Sequence, residues 1–140
     1  MPFREKLLRS TPGQVDLGLL LLRLWFGGVL AINHGLPKLG HMAGFAAGVA
    51  EMGLPAPTLM AYAAVAAELV GGLMLAAGLG TRLAAVPVTL TMLVAAFVRH
   101  AADPFMKKEF ALAYGVVALV LLITGPGRYS VDARLAGDDD

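Results

Sequence analysis

Glu68 is a carboxylate inside the apolar stretch AELVGGLMLAAGLGTR, Ala67–Arg82, and it is the residue whose placement most needs a chemical reason. An ionised side chain inside a hydrocarbon layer survives only if it is paired, protonated or facing water. Arg23 interrupts the earlier apolar run Leu17–Ile32 and is the expected partner, because antiparallel first and second helices bring the two within an arginine's reach. A carboxyl whose neutralising cation can be displaced is a proton acceptor, and Glu68, Arg23 and His34 form the expected catalytic set. The bland reading of the same pair is an ion bridge that only fixes the register of two helices.

A second group gathers by topology. Chain reversals place His34, Lys38, Arg99, His100, Glu109 and Tyr114 at one end of the hydrophobic segments, a set rich in hydrogen-bond donors. Trp25, Phe26, Phe97, Phe105 and Phe110 could line an apolar slot beside them, although aromatic residues at a membrane interface often serve as anchors. A metal centre built from His34, His41, His100 and Glu68 or Glu109 is set aside. Pro37 and Gly40 separate the first two histidines, so no helix fixes their geometry, and no metal ligand is assigned. Ser130 and Asp132 follow a Gly-Pro-Gly stop with no histidine nearby, which suits a turn or cap better than a nucleophile.

The elements that must position these groups are membrane helices. The 140 residues are 58% hydrophobic and 15% charged, with a mean hydropathy of +0.74, too apolar for a small soluble globule. A formal net charge of +1 without a concentrated basic face argues against nucleic acid as a partner. Zero cysteines exclude disulfides and dithiol redox chemistry by this chain itself, so any electrons must be carried by another group.

The hydrophobic runs predict an all-α, integral membrane, antiparallel four-helix bundle forming one domain over residues 1–140, with spans near 14–34, 58–79, 83–99 and 109–124. Asn33–Pro57 reads as a loop carrying a short re-entrant or interfacial helix near Met42–Met52. Arg23, Gly27, Ala31 and Gly35 recur every four positions, and so do Ala64, Glu68, Gly72 and Ala76, two stripes of mostly small residues along which the first two helices should touch closely. Pro87 should kink the third span. The distribution of basic residues, among them Arg4, Lys6, Arg9, Arg82, Arg128 and Arg134, places both termini in the cytoplasm; the tail ending at Asp138–Asp140 is expected to be mobile.

Three blocks in order, NHGLPKL at Asn33–Leu39, AELVGG with LGTR at Ala67–Arg82 and GPGRYSVD at Gly125–Asp132, resemble the motifs of the DoxX-like (DoxX/DoxD) membrane proteins. The resemblance covers about Leu17–Leu135 and implies a small bacterial or archaeal inner-membrane protein. For some relatives it implies a membrane subunit of an oxidoreductase, including thiosulfate:quinone oxidoreductase and oxidative-stress complexes. The implied motif positions are His34, Gly35, Lys38, Glu68, Gly71, Gly72, Arg82, Ser130 and Asp132. On this basis the expected cofactor is a quinone, which needs two hydrogen-bond donors at its carbonyls and an apolar slot. His34, Lys38, Arg99, His100, Glu109 and Tyr114 are the expected contacts. The expected partners are the lipid bilayer, a soluble or membrane oxidoreductase and a second copy of the chain. The alternative is a non-catalytic membrane scaffold or small-solute transporter, in which the charged pair is structural or a gate.

Overall fold

A computed structural model describes Arg4 and residues 8–137. The basic Lys6 and the tail Asp138–Asp140, both invoked above, lie outside the described residues. Among those described every regular element is a helix. Three are long and apolar enough to cross a membrane: α1, Pro12–Gly40, with 29 residues; α3, Pro57–Ala77, with 21; and α4, Thr81–Arg99, with 19. Between the first two lies the short α2, Met42–Ala50, and α4 is followed by α5, Phe105–Thr124, and α6, Val131–Ala136. With 20 residues α5 has the length of a span, but Lys107, Lys108 and Glu109 fall in its first turns and shorten its apolar stretch.

Local sequence explains where α1 begins. Thr11 caps it, accepting from the Gln14 amide at 3.3 Å, while the Gln14 side chain accepts from the Thr11 amide at 2.8 Å and Pro12 occupies the first turn. The end of α1 differs from the sequence expectation. Asn33–Gly40 is helical rather than a loop, so the helix runs six residues past His34 and the loop texture starts only at His41. A proline within a helix forfeits one amide bond and crowds the carbonyl of the preceding turn. Here a π-helical turn, Leu30–Gly35, widens the helix just ahead of Pro37, with the Leu36 amide donating to the Ala31 carbonyl five residues back. Similar π turns interrupt α3 at Ala67–Gly71 and α4 at Ala95–Arg99.

The expected short helix is present as α2, and it packs along Pro57–Ala66, the first half of α3. The expected close approach of α1 and α3 is also present. A methyl added to Gly27 would sit 2.6 Å from the Gly72 carbonyl oxygen, and one added to Gly72 would sit 2.8 Å from the Gly27 carbonyl oxygen. The two backbones therefore touch, which only residues without a side chain allow. The rest of the core lies between α4 and α5 and reaches back to α1 and α3: Leu30, Leu75, Ala85, Val88, Met92, Ala118 and Leu121 are all buried there.

The periphery inverts the pattern of a soluble protein. Leu21, Trp25, Leu73, Leu83, Phe97 and Ile123 point outward, a contiguous apolar coat that water would disfavour and lipid accepts. Within α4 the hydroxyl of Thr89, near Pro87, donates to the Ala85 carbonyl at 2.7 Å.

Candidate functional site

Polar groups inside this apolar shell gather at two places. At the first, Glu68 is 3% exposed and its carboxylate receives the Lys38 ammonium, Nζ lying 2.6 Å from Oε1 and 2.5 Å from Oε2. The Lys38 side chain is 31% exposed, so one partner is buried and the other reaches the surface. Its ammonium also lies 5.1 Å from the centre of the Phe45 ring on α2, a cation–π contact that steadies the long side chain. One turn before Lys38, His34 meets Tyr114 of α5 edge to face with ring centres 5.3 Å apart. Tyr114 in turn contacts Phe26 at 5.5 Å. The Lys38–Glu68 pair and the His34–Tyr114 contact thus share one end of the α1 contact with its neighbours, with Lys38 and His34 one turn apart on α1.

Local conformation positions this unit. His34 lies in the π turn of α1 and Glu68 in the π turn of α3, and the two turns pack on each other. A methyl at Gly35 would lie 2.6 Å from the Leu69 amide nitrogen, so the approach here is again backbone to backbone. Wide π turns of this kind recur at functional positions because they turn side chains away from the regular helical stripe.

Arg23 does not pair with Glu68. It is 1% exposed and its guanidinium turns the other way, donating to the Ala76 carbonyl at 3.0 Å and to the Tyr129 carbonyl. The reason is register: Gly27, one turn after Arg23, packs against Gly72 and Ala76, which sets Arg23 at the far end of α3 from Glu68. There the chain after α5 folds back as a strap under the helices. Asp132 accepts from the Gly80 and Thr81 amides at 2.6 and 2.9 Å, capping α4 from a distant part of the chain. Its own amide donates to the Gly78 carbonyl at 2.8 Å. Asp16 accepts from the Arg128 amide at 3.1 Å. Burial would raise the Asp132 carboxyl, but the two amide bonds and the charge of Arg23 outweigh it and hold the group below the usual carboxylate range. Gly78, at φ 68°, admits the strap: a methyl there would lie 2.6 Å from the Ser130 Cβ. Ser130 caps α6, accepting from the Ala133 amide at 3.1 Å.

Of the expected donor set, His34, Lys38 and Tyr114 come together around Glu68. His100 instead bonds Asp103 at 2.7 Å in the α4–α5 connection, and that bond is the first cause holding Asp103 below the usual carboxylate range. Arg99 and Glu109 are exposed. The aromatic slot also does not form as expected. Trp25, Phe97, Phe105 and Phe110 face outward, between 61% and 70% exposed, and only Phe26 turns toward the site. Among the described residues no group of three or more His, Asp or Glu side chains comes together as metal ligands would. Two clefts, one of about 480 Å³ beside the start of α1 and one of about 200 Å³ between α3 and α4, are lined by none of the four site residues, although Ala67, next to Glu68, borders the second. The Lys38–Glu68 bond had one legible signal, since Lys38 follows His34 by four residues and shares its face if the helix continues through Pro37.

These features define a membrane protein of packed apolar helices with a charged pair beside the contact of two π turns. The chain belongs to the DoxX family, whose model matches residues 18–101. That match spans α1 to α4, including Lys38 and Glu68, while Tyr114 and the strap fall beyond it. Over 118 residues, 84% of this chain and 86% of the other, it is 34% identical to a protein of Bacillus subtilis (strain 168) named "Putative oxidoreductase CatD". No solved structure matches the chain.

Proposed function

We propose that the protein is a quinone-binding membrane subunit of an oxidoreductase complex, in the inner membrane, with α5 as a fourth crossing and both termini in the cytoplasm. The observation that carries this reading is the Lys38–Glu68 bond beside the His34–Tyr114 contact. The Bacillus relative, named as an oxidoreductase, supports it. With four crossings α1, α3, α4 and α5 alternate in direction, an antiparallel four-helix bundle.

The donor chemistry fits a quinone head group. Lys38 Nζ, a ring nitrogen of His34 and the Tyr114 hydroxyl are donors of the kind that hold carbonyl oxygens. A bound quinone would supply redox chemistry that takes up protons together with electrons. The chain's own residues hold and orient: Lys38 offers an N–H from a half-exposed position, Phe45 keeps its ammonium in place, and Glu68 keeps or gives up a proton next to it. The apolar surroundings exclude water and strengthen each of these interactions. This chain has no cysteine and so no thiol to carry electrons, and in this reading a partner holds the cofactor that exchanges electrons with the quinone.

The test is an organic extract of protein purified in mild detergent. A quinone should be present in amounts comparable to the protein, and Lys38→Met should lower it by about tenfold, as loss of one charged hydrogen bond to a bound group does. An extract without quinone, from protein that also fails to take up added quinone, would leave a scaffold. Solute flux in proteoliposomes would favour a transporter.

A further inference from the structure

The two ends of the α1–α3 contact differ in access. Toward the strap, the path from Glu68 meets the backbone contact at Gly27, Gly72 and Ala76, where an added methyl would come within 2.6 to 2.8 Å of main-chain atoms. Below it Arg23, Thr81 and Ser130 are 1%, 0% and 4% exposed. A file of water needs room between side chains, and touching backbones leave none. Toward the α1–α2 break, in contrast, Glu68 is covered by Lys38, a flexible side chain 31% exposed, and just beyond it the chain breaks at His41. The groups facing Glu68 are Lys38 and His34 from α1 and Tyr114 from α5, while α4 presents Val88 to the adjacent Gly71.

We infer that Glu68 exchanges protons with water on one side of the membrane only, the side of the α1–α2 break, and that Lys38 is the gate. This rests on the reading above, in which Glu68 handles protons for the bound group, and specifies the compartment those protons come from. The ion pair opens when the Lys38 side chain swings outward, and water then reaches the carboxylate by the route that the ammonium has left. The strap end stays closed.

The probe is dicyclohexylcarbodiimide, which crosses membranes and adds to a protonated carboxyl. The carboxyl O–H adds across one C=N bond and the adduct rearranges to an N-acylurea, with nothing lost, so Glu68 gains the reagent's full mass. Full-length protein is reconstituted in vesicles. Its orientation is read from an Ala136→Cys label at the exposed end of α6, in a chain with no other cysteine. The pH is then changed on one side at a time.

Labelling of Glu68, read by mass spectrometry, should follow the pH on the side of the α1–α2 break. It should fall as that side is made more alkaline and rise as it is made more acidic. It should ignore the pH at the strap side. Lys38→Met should raise labelling several-fold at a given pH, whereas Lys38→Arg should stay near the parent. Labelling that follows the strap side, follows both sides equally or ignores both overturns the inference. Labelling unchanged in Lys38→Met removes the gate. An extract free of quinone would sink the quinone reading and leave these results standing, so the two failures are distinguishable.

Discussion

The Arg23 end and the Lys38 end of the molecule each bury a charge in an apolar shell, and they settle it differently. At the Arg23 end the guanidinium bonds main-chain carbonyls, and the carboxylate of Asp132 bonds main-chain amides. Backbone groups have no other conformation to move to, so this end is a fixed joint between α1, the α3–α4 turn and the strap. At the Lys38 end both partners are side chains, one of them half-exposed, and the neighbouring polar groups are an imidazole and a phenol. Side chains can part and re-pair without disturbing a helix. A buried charge tied to backbone holds a fold together, whereas one tied to a mobile side chain can change its protonation state and take a ligand.

Arg23→Met tests that contrast most severely. It removes a charged donor from two carbonyls and leaves Asp132 without its nearby cation, a loss on the order of 3 kcal/mol. Heat denaturation in detergent, followed by circular dichroism, should show a much lower midpoint, and trypsin should cut faster at Arg128 and Arg134 on the strap. Lys38→Met should lower the midpoint far less while lowering bound quinone about tenfold. Equal losses of stability in the two variants would erase the distinction.

How far the sequence could anticipate this arrangement depended on which force set each feature. The three long apolar helices and the small-residue stripe at Gly27 and Ala31 follow from local composition, and both are legible without coordinates. The course of α1 past His34 was not, because Asn33, Gly35 and Pro37 read as loop residues, and only a π turn, which hydropathy does not encode, carries the helix through them. The partner of Glu68 differs from the expected Arg23 for the same reason. With α1 ending at His34, Lys38 belongs to a loop and Arg23 is the natural cation; with α1 extended, Lys38 comes into reach. Asp132 as a cap for α4 depends on a fold-back across more than fifty residues, which no local pattern announces.

A milder change, Asp132→Asn, separates capping from charge at the fixed end. Asparagine keeps one acceptor for the Gly80 and Thr81 amides and loses the negative charge, so the expected loss near neutral pH is about 1 kcal/mol. The pH dependence carries the sharper signature. Because the folded protein holds the Asp132 carboxyl below its unfolded value, its contribution is present above about pH 4 and disappears as the pH falls through the lower, folded value. Asp103 is shifted in the same direction by its bond to His100, in parent and variant alike. The difference between parent and Asp132→Asn therefore isolates the strap: the gap between their denaturation midpoints should narrow on acidification below about pH 4. A gap that stays constant to lower pH would show that the carboxylate charge contributes nothing to the joint.

Tyr114→Phe is the smallest change and bears on the other end. The ring keeps its contacts with Phe26 at 5.5 Å and His34 at 5.3 Å, so stability should move by less than about 0.5 kcal/mol. Only the hydroxyl is lost. If Tyr114 is a donor to the bound group, quinone retention should fall by about threefold, the effect of one neutral hydrogen bond. If the tyrosine only packs, retention should match the parent. Lost stability with unchanged retention would place Tyr114 with Arg23 among the groups that hold the fold, and would narrow the chemically active unit to His34, Lys38 and Glu68.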